Sequence, residues 1–178
     1  MLFRKPQTTA DVLRVRYLSA VLSYVATRVG ADAAEDITAE VFGAAFRALS
    51  RCPAPAPHGS EHDPARAWLF GIARHKVADH LRRPKNRETL PLPESLLAPG
   101  GPEASVERAE TARALRCVLE ALPELQKEAL LLKYVEQLSL AEIALALGKS
   151  ETAISQLLYR ARQSAREHGR AYFCSEEL

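Results

Sequence analysis

Thr152, Gln156, Tyr159, Arg160 and Gln163 recur at spacings that place them on one side of a helix. Their side chains are those that meet DNA: a glutamine amide can pair bidentately with adenine, and an arginine holds phosphate. On the other side Ile154, Leu158 and Ala161 repeat an apolar spacing that would seat the helix on a core. The stretch before it, from Leu138, carries a second apolar face at Leu140, Ile143, Ala144 and Leu147. Between the two, Gly148 tolerates the positive φ of a helix end. Ser150 is a good N-cap, and Glu151 suits the positive end of the next helix dipole. The pattern predicts a helix-turn-helix whose second helix enters a DNA groove. A plain helical hairpin with a solvated arginine face is the competing reading.

The elements that must position this hairpin are also helical. Alternating β-branched segments are absent and helical spacing recurs, so the chain reads as all-α. A first helix is expected from Thr9 to Val29, with Leu13, Tyr17, Ala20, Val21 and Tyr24 inward and Gly30 ending it. A second is expected from Ala33 to Arg51, with Ile37, Val41, Ala44 and Ala48 inward and Phe42, Phe46 and Leu49 beside them. The loop 51–63 holds Pro53, Pro55 and Pro57 and cannot be helix. Asp63 and Pro64 then form an N-cap and first position for a third helix that runs to Arg83 and stops before Pro84. Trp68 within it suits core packing better than base stacking. Pro84, Pro91, Pro93, Pro99 and Pro102 mark a tether. Helical pattern resumes from Ala104 to Leu122, and Pro123 opens another helix running to Gln137 before the hairpin. The expected organisation is two small helical domains joined by a Pro/Gly-rich linker. Residues 1–86 form the first and 87–103 the linker. Residues 104–170 form a four-helix domain containing the helix-turn-helix, and 171–178 a short tail.

Net charge is only +2, but it is unevenly placed. Arg74, Lys76, Arg82, Arg83, Lys85 and Arg87 face a single acid, Asp79, over 73–87. Lys149, Arg160, Arg162, Arg166 and Arg170 form a second basic stretch. Two basic patches fit a chain that touches a polyanion at two places. The 3 cysteines, Cys52, Cys117 and Cys174, are scattered, which argues for a reducing compartment and against a disulfide scaffold. His58 and His62 near Cys52 make an incomplete ligand set in a proline-broken loop, so no metal and no cofactor is called for. No run approaches a membrane span and the N-terminus lacks a signal-peptide core, so a cytoplasmic protein without membrane contact of its own is expected. No phosphate loop or nucleophile–base motif points to an enzyme.

Three segments, in order, carry a family resemblance. They are EDITAEVFGAAFRAL (35–49), ARAWLFGIARHKVADHLRR (65–83) and VLEALPELQKEALLLKYVEQLSLAEIALALGKSETAISQLLYRAR (118–162). The chain resembles the extracytoplasmic-function (ECF) sigma factors, two-domain promoter-recognition subunits of bacterial RNA polymerase. The first segment is similar to the family's core-polymerase-binding helix, the second to its −10 helix and the third to its −35-binding domain. A stand-alone helix-turn-helix regulator would not need the first two.

The resemblance implies three sets of residues. Asp36 and Glu40, one helical turn apart, would meet basic residues on the β and β′ subunits of core polymerase. Arg74, His75, Lys76, Asp79, Arg82 and Arg83 would contact the −10 element, with the loop 51–63 helping to build a pocket for an extruded base. Lys149, Ser150, Thr152, Ser155, Gln156, Arg160 and Arg162 would contact the −35 element. The implied partners are core RNA polymerase, promoter DNA and an anti-sigma factor. In the free chain the two domains are expected to tumble separately or to pack with their polymerase-binding faces covered. The sequence departs from the family pattern at Ala39, where an amide is usual, and at His75, where Asn is usual. It departs again at Ala153, Ser155 and Leu157, where Thr, Lys and Arg are frequent.

Overall fold

The computed structural model describes residues 9–57, 60–83 and 114–173, with backbone alone for 171–173. All regular elements among them are helical. The expected linker, His58 and the tail beyond Phe173 lie outside the described residues.

Helix α1 spans Thr9–Val29 and ends as expected at Gly30, whose φ of 87° is closed to most side chains. Its inner face buries Leu13, Tyr17, Val21, Tyr24 and Val25. Helix α2 spans Ala31–Arg47, shorter than its sequence pattern, and buries Ile37, Val41, Phe42 and Ala45. Phe46, expected beside the core, is 38% exposed. The early stop comes from the proline that follows. Cys52 precedes Pro53 and is held extended (φ −69°, ψ 123°), so the chain tightens into a 3₁₀ turn at Leu49–Arg51 instead of continuing the α-helix.

Helix α3, Pro64–Arg82, starts where Asp63 and Pro64 predict. The Asp63 carboxylate accepts from the N–H groups of Ala65 (3.2 Å) and Arg66 (3.4 Å). Ala65, Ala67, Leu69, Phe70, Ala73 and Val77 are buried. The ring of Phe70 meets that of Tyr24 edge-on at 5.4 Å, tying α3 to α1. Trp68 is half-buried and packs against the core.

Residues 114–121 form α4, and α5 spans Glu124–Leu130. The single helix expected to run on to Gln137 is interrupted by a π turn at Leu131–Val135, in which the Glu136 N–H reaches the Leu131 carbonyl at 3.1 Å. Gln137 follows at φ 53°, so the chain turns there without a glycine. Helix α6, Leu140–Leu147, opens on a capping box: Ser139 Oγ accepts from the Glu142 N–H (3.3 Å) and the Glu142 carboxylate from the Ser139 N–H (2.8 Å). It ends at Gly148, which adopts φ 62°, and the Lys149 N–H returns to the Ala144 carbonyl at 2.9 Å. Helix α7, Glu151–Phe173, completes the hairpin.

The two halves are packed together, with α3 lying against α6 in one continuous apolar cluster. The helices approach closely at Gly71: a Cβ there would sit 3.3 Å from the Ala146 carbonyl oxygen. Polar groups cross the same boundary. The Asp63 N–H donates to Glu142 at 3.1 Å, and Arg66 donates to the Glu136 carbonyl. The Tyr24 hydroxyl donates to Glu128, and Arg28 pairs with both Glu124 and Glu128.

Burial pushes the Glu136 carboxyl up from 4.5 to about 7, against the opposing pull of Arg66. Between these values the folded chain keeps a proton that the unfolded chain releases. Stability therefore falls as pH rises from about 4.5 to about 7, by about 3 kcal/mol in all. Glu136→Gln removes the titration. Its urea midpoint is expected to match the wild type near pH 4.5 and exceed it at pH 8, which paired denaturation curves measure.

Candidate nucleic-acid interface

The hairpin derives its shape from its two caps. Gly148 ends α6, and Ser150 Oγ accepts from the Ala153 N–H at 3.2 Å to begin α7. Ser150 is therefore engaged with the helix terminus as well as lying beside the candidate contacts. Ile154, Leu158 and Ala161 are buried, which fixes the rotation of α7 about its axis. Lys149, Thr152, Ser155, Gln156, Arg160 and Arg162 consequently all face solvent. Tyr159, 64% exposed, stands among them as an uncovered aromatic. The seven −35 candidates are thus gathered at the start and outer side of one helix, where a recognition helix meets base edges. The face continues past them through Arg166 and Arg170, both exposed.

The −10 candidates share α3 but not one environment. His75, Asp79, Arg82 and Arg83 are exposed, while Arg74 and Lys76 are half-buried. Arg82 pairs with Asp79 at 3.0 Å, and Arg74 lies 3.4 Å from the His75 ring. Arg74 has its Nε buried without a hydrogen-bond partner among the described residues. Lys76 pairs with Glu40 at 3.0 Å. That ion pair joins residues the sequence reading assigned to separate sites. Asp36 and Glu40 are both exposed on α2, so close packing of the halves leaves these two carboxylates uncovered. Residues 52–57 of the expected pocket loop have no regular secondary structure, and Arg16 donates to the Ala56 carbonyl there at 2.6 Å.

Sequence reasoning missed the buried polar group made by Tyr24, Arg28 and Glu128. Each is less than 4% exposed. Burial works against the Arg28 charge, but Glu128, Tyr24 and Glu124 around it together outweigh this and raise the guanidinium above its ordinary value. Burial likewise raises the Glu128 carboxyl, against the pull of Arg28, and raises the Tyr24 hydroxyl. The only signal in the sequence was negative: Arg28 falls in the same helix as an apolar stripe, near its C-terminal end, where a cation also suits the dipole.

Comparison with known proteins supplies the family. Residues 13–88 match Sigma-70 region 2, and residues 112–164 match Sigma-70 region 4. The chain is 37% identical over 150 residues to the ECF RNA polymerase sigma factor BldN of Streptomyces coelicolor, covering 82% of this chain and 54% of that protein. It is 34% identical over 155 residues to the ECF RNA polymerase sigma factor SigD of Mycobacterium tuberculosis, covering 83% of this chain and 70% of the relative. The chain belongs to the ECF sigma factors. Members of this family are not enzymes; they direct promoter-specific transcription initiation. Among solved structures, the fold matches that of the sigma factor RpoE from Bartonella quintana, crystallised with the anti-sigma factor NepR. The TM-score is 0.58 at 19% identity, covering 89% of this chain and 94% of the other. Among the described residues, no helix is long and apolar enough to cross a membrane.

Within the sigma-factor hairpin, Gln156 and Arg160 lie one turn apart and should do different work. Gln156→Ala is expected to relax preference at one or two base pairs of the −35 element. Arg160→Ala is expected to weaken all sequences about equally and to lower the salt slope by about 1. Binding to a randomised −35 library at several salt concentrations separates the two.

Proposed function

We propose that this chain binds core RNA polymerase through α2 and reads a two-element promoter, −10 through α3 and −35 through the start of α7. In this reading residues 1–86 act as region 2 and residues 104–170 as a region 4 of four helices, with 87–103 as the tether. The observation that carries it is the uncovered start and outer face of α7, with all seven −35 candidates exposed, on a chain whose other half matches region 2. A stand-alone regulator accounts for the first feature and not for the second.

The roles follow from chemistry. Arg160, Arg162 and Lys149 hold phosphates and set register, while Thr152, Ser155 and Gln156 present polar groups to base edges. Arg82, Arg83, Arg74 and Lys76 provide a cationic edge for the melted strand, with His75 and Asp79 placed to meet bases. Asp36 and Glu40 offer two carboxylates one turn apart to a basic polymerase surface. Polymerase binding would draw Glu40 away from Lys76 and free that lysine for DNA. The surface ion pair between them is worth at most about 1 kcal/mol, so the exchange is cheap. An anti-sigma partner, such as NepR is for the Bartonella protein, is the further partner this reading includes.

Run-off transcription with core polymerase, on a promoter selected from random DNA, tests the proposal: the chain must confer initiation at a defined start site. Asp36→Lys with Glu40→Lys reverses the sign of the polymerase contact. It is expected to weaken holoenzyme formation by about 1–3 kcal/mol in a core-binding titration. The same double variant should leave binding to isolated −35 DNA unchanged.

A further inference from the structure

The chain approaches α3 through a segment with unusual backbone chemistry. Residues 52–57 read Cys-Pro-Ala-Pro-Ala-Pro and carry no charge. Pro53, Pro55 and Pro57 have no N–H, so only Cys52, Ala54 and Ala56 offer backbone donors. The Cys52 N–H goes to the Leu49 carbonyl at 3.0 Å, and the Ala56 N–H to Asp63 at 3.3 Å. What the segment can present to a base is therefore ring faces, methyl groups and carbonyl oxygens. Groups of this kind separate one base from another by where they stand, so any preference of this loop is a matter of placement.

The placement comes from outside the loop. Arg16, on α1, donates through Nη1 to the Ala56 carbonyl at 2.6 Å, while its Nη2 lies 3.4 Å from Oδ2 of Asp63. Oδ1 of the same carboxylate accepts the Ala56 N–H and also caps the first turn of α3. The N–H and the carbonyl of Ala56 are thus both held by one ion pair, whose members belong to α1 and to the cap of α3. Tyr17 adds a second contact from α1: its hydroxyl donates to Oδ2 of Asp63, and the Arg16 guanidinium stands 5.3 Å from its ring. Little of the Arg16 or Asp63 side chain is exposed, so water competes weakly for either partner. The planar fork of an arginine serves a carbonyl and a carboxylate together, which the single ammonium of a lysine does less well.

We propose that Arg16 is a positioning residue for −10 recognition: through the Ala56 carbonyl and Asp63 it sets where the proline-rich loop stands against the start of α3, and so which −10 base the loop accepts. Arg16 itself touches no DNA in this role. The role rests on the function proposed above, with the loop as part of the −10 pocket.

Run-off transcription by the holoenzyme, from a library randomised at −10 with the −35 element held constant, separates preference from total activity. Arg16→Met removes both contacts. It is expected to keep its helicity by circular dichroism and to lose discrimination at one −10 position by about fivefold, the lower end of what one base pair of a site is worth. Arg16→Gln, the milder change, carries the same expectation if Arg16→Met loses helicity. A merely structural role would lower transcription from every −10 sequence by the same factor, and that result overturns the proposal. Pro55→Gly with Pro57→Gly loosens the loop and leaves Arg16 in place. If this loop variant changes the ranking of −10 sequences and the Arg16 variants do not, the role of Arg16 falls and reading by the loop stands. If the loop variant leaves the ranking unchanged, the loop does not read bases and the proposal falls with it. A wild type that fails to initiate defeats the function proposed above and this role together. The clamp is also measured without polymerase or DNA, by amide hydrogen exchange on the full chain. The Ala56 N–H should exchange about tenfold faster in Arg16→Met, and unchanged exchange overturns the proposal.

Discussion

Asp63 is the residue on which most of the arrangement depends. Its carboxylate caps α3, ion-pairs with Arg16 at 3.4 Å, accepts the Tyr17 hydroxyl and holds the Ala56 N–H at 3.3 Å. Its own N–H reaches Glu142 across the boundary between the halves. One buried carboxylate therefore fixes where α3 begins, how α1 crosses it and where the proline-rich loop runs. Burial and Asp63 together push the Tyr17 hydroxyl well above its ordinary value, so this hydroxyl stays a donor at any physiological pH. The geometry of both candidate DNA-binding helices follows from this point: α3 starts on Asp63, and α6, which orients α7, starts on the Glu142 that Asp63 engages.

Local signals carried much of this into the sequence. Gly30, Asp63 with Pro64, and Gly148 with Ser150 each mark a helix end by a conformational or hydrogen-bonding need that few other residues meet. The faces at Leu13–Tyr24 and Ile154–Ala161 were legible because one side of each helix is consistently apolar. Legibility failed where long-range packing overrides local pattern. The segment Glu124–Gln137 reads as one helix, since a π turn has no residue signature of its own. Tyr24, Arg28 and Glu128 read as ordinary positions, and the partner of Tyr24 lies 104 residues away in sequence. Gly71 carries no mark in the sequence of its close approach to the backbone of Ala146 on α6. The candidate DNA faces were legible as charge and amide spacing, but the Lys76–Glu40 pair was not, because it joins different helices.

The two kinds of burial in this chain have different consequences for motion. Within each half and across α3 and α6 the apolar contacts form one cluster, and exposing them to water costs about 25 cal/mol for every Å². Across the boundary a substantial part of the contact is ionic and hydrogen-bonded, and water can replace these partners when the halves separate. A buried ion pair with unsatisfied donors adds little net affinity, because its attraction is offset by the hydration both ions gave up. What it adds is register: Arg28 finds a partner only when Glu128 is opposite it, and Glu142 reaches Asp63 only in the same pose. The polar part of the boundary therefore specifies one pose more than it strengthens it.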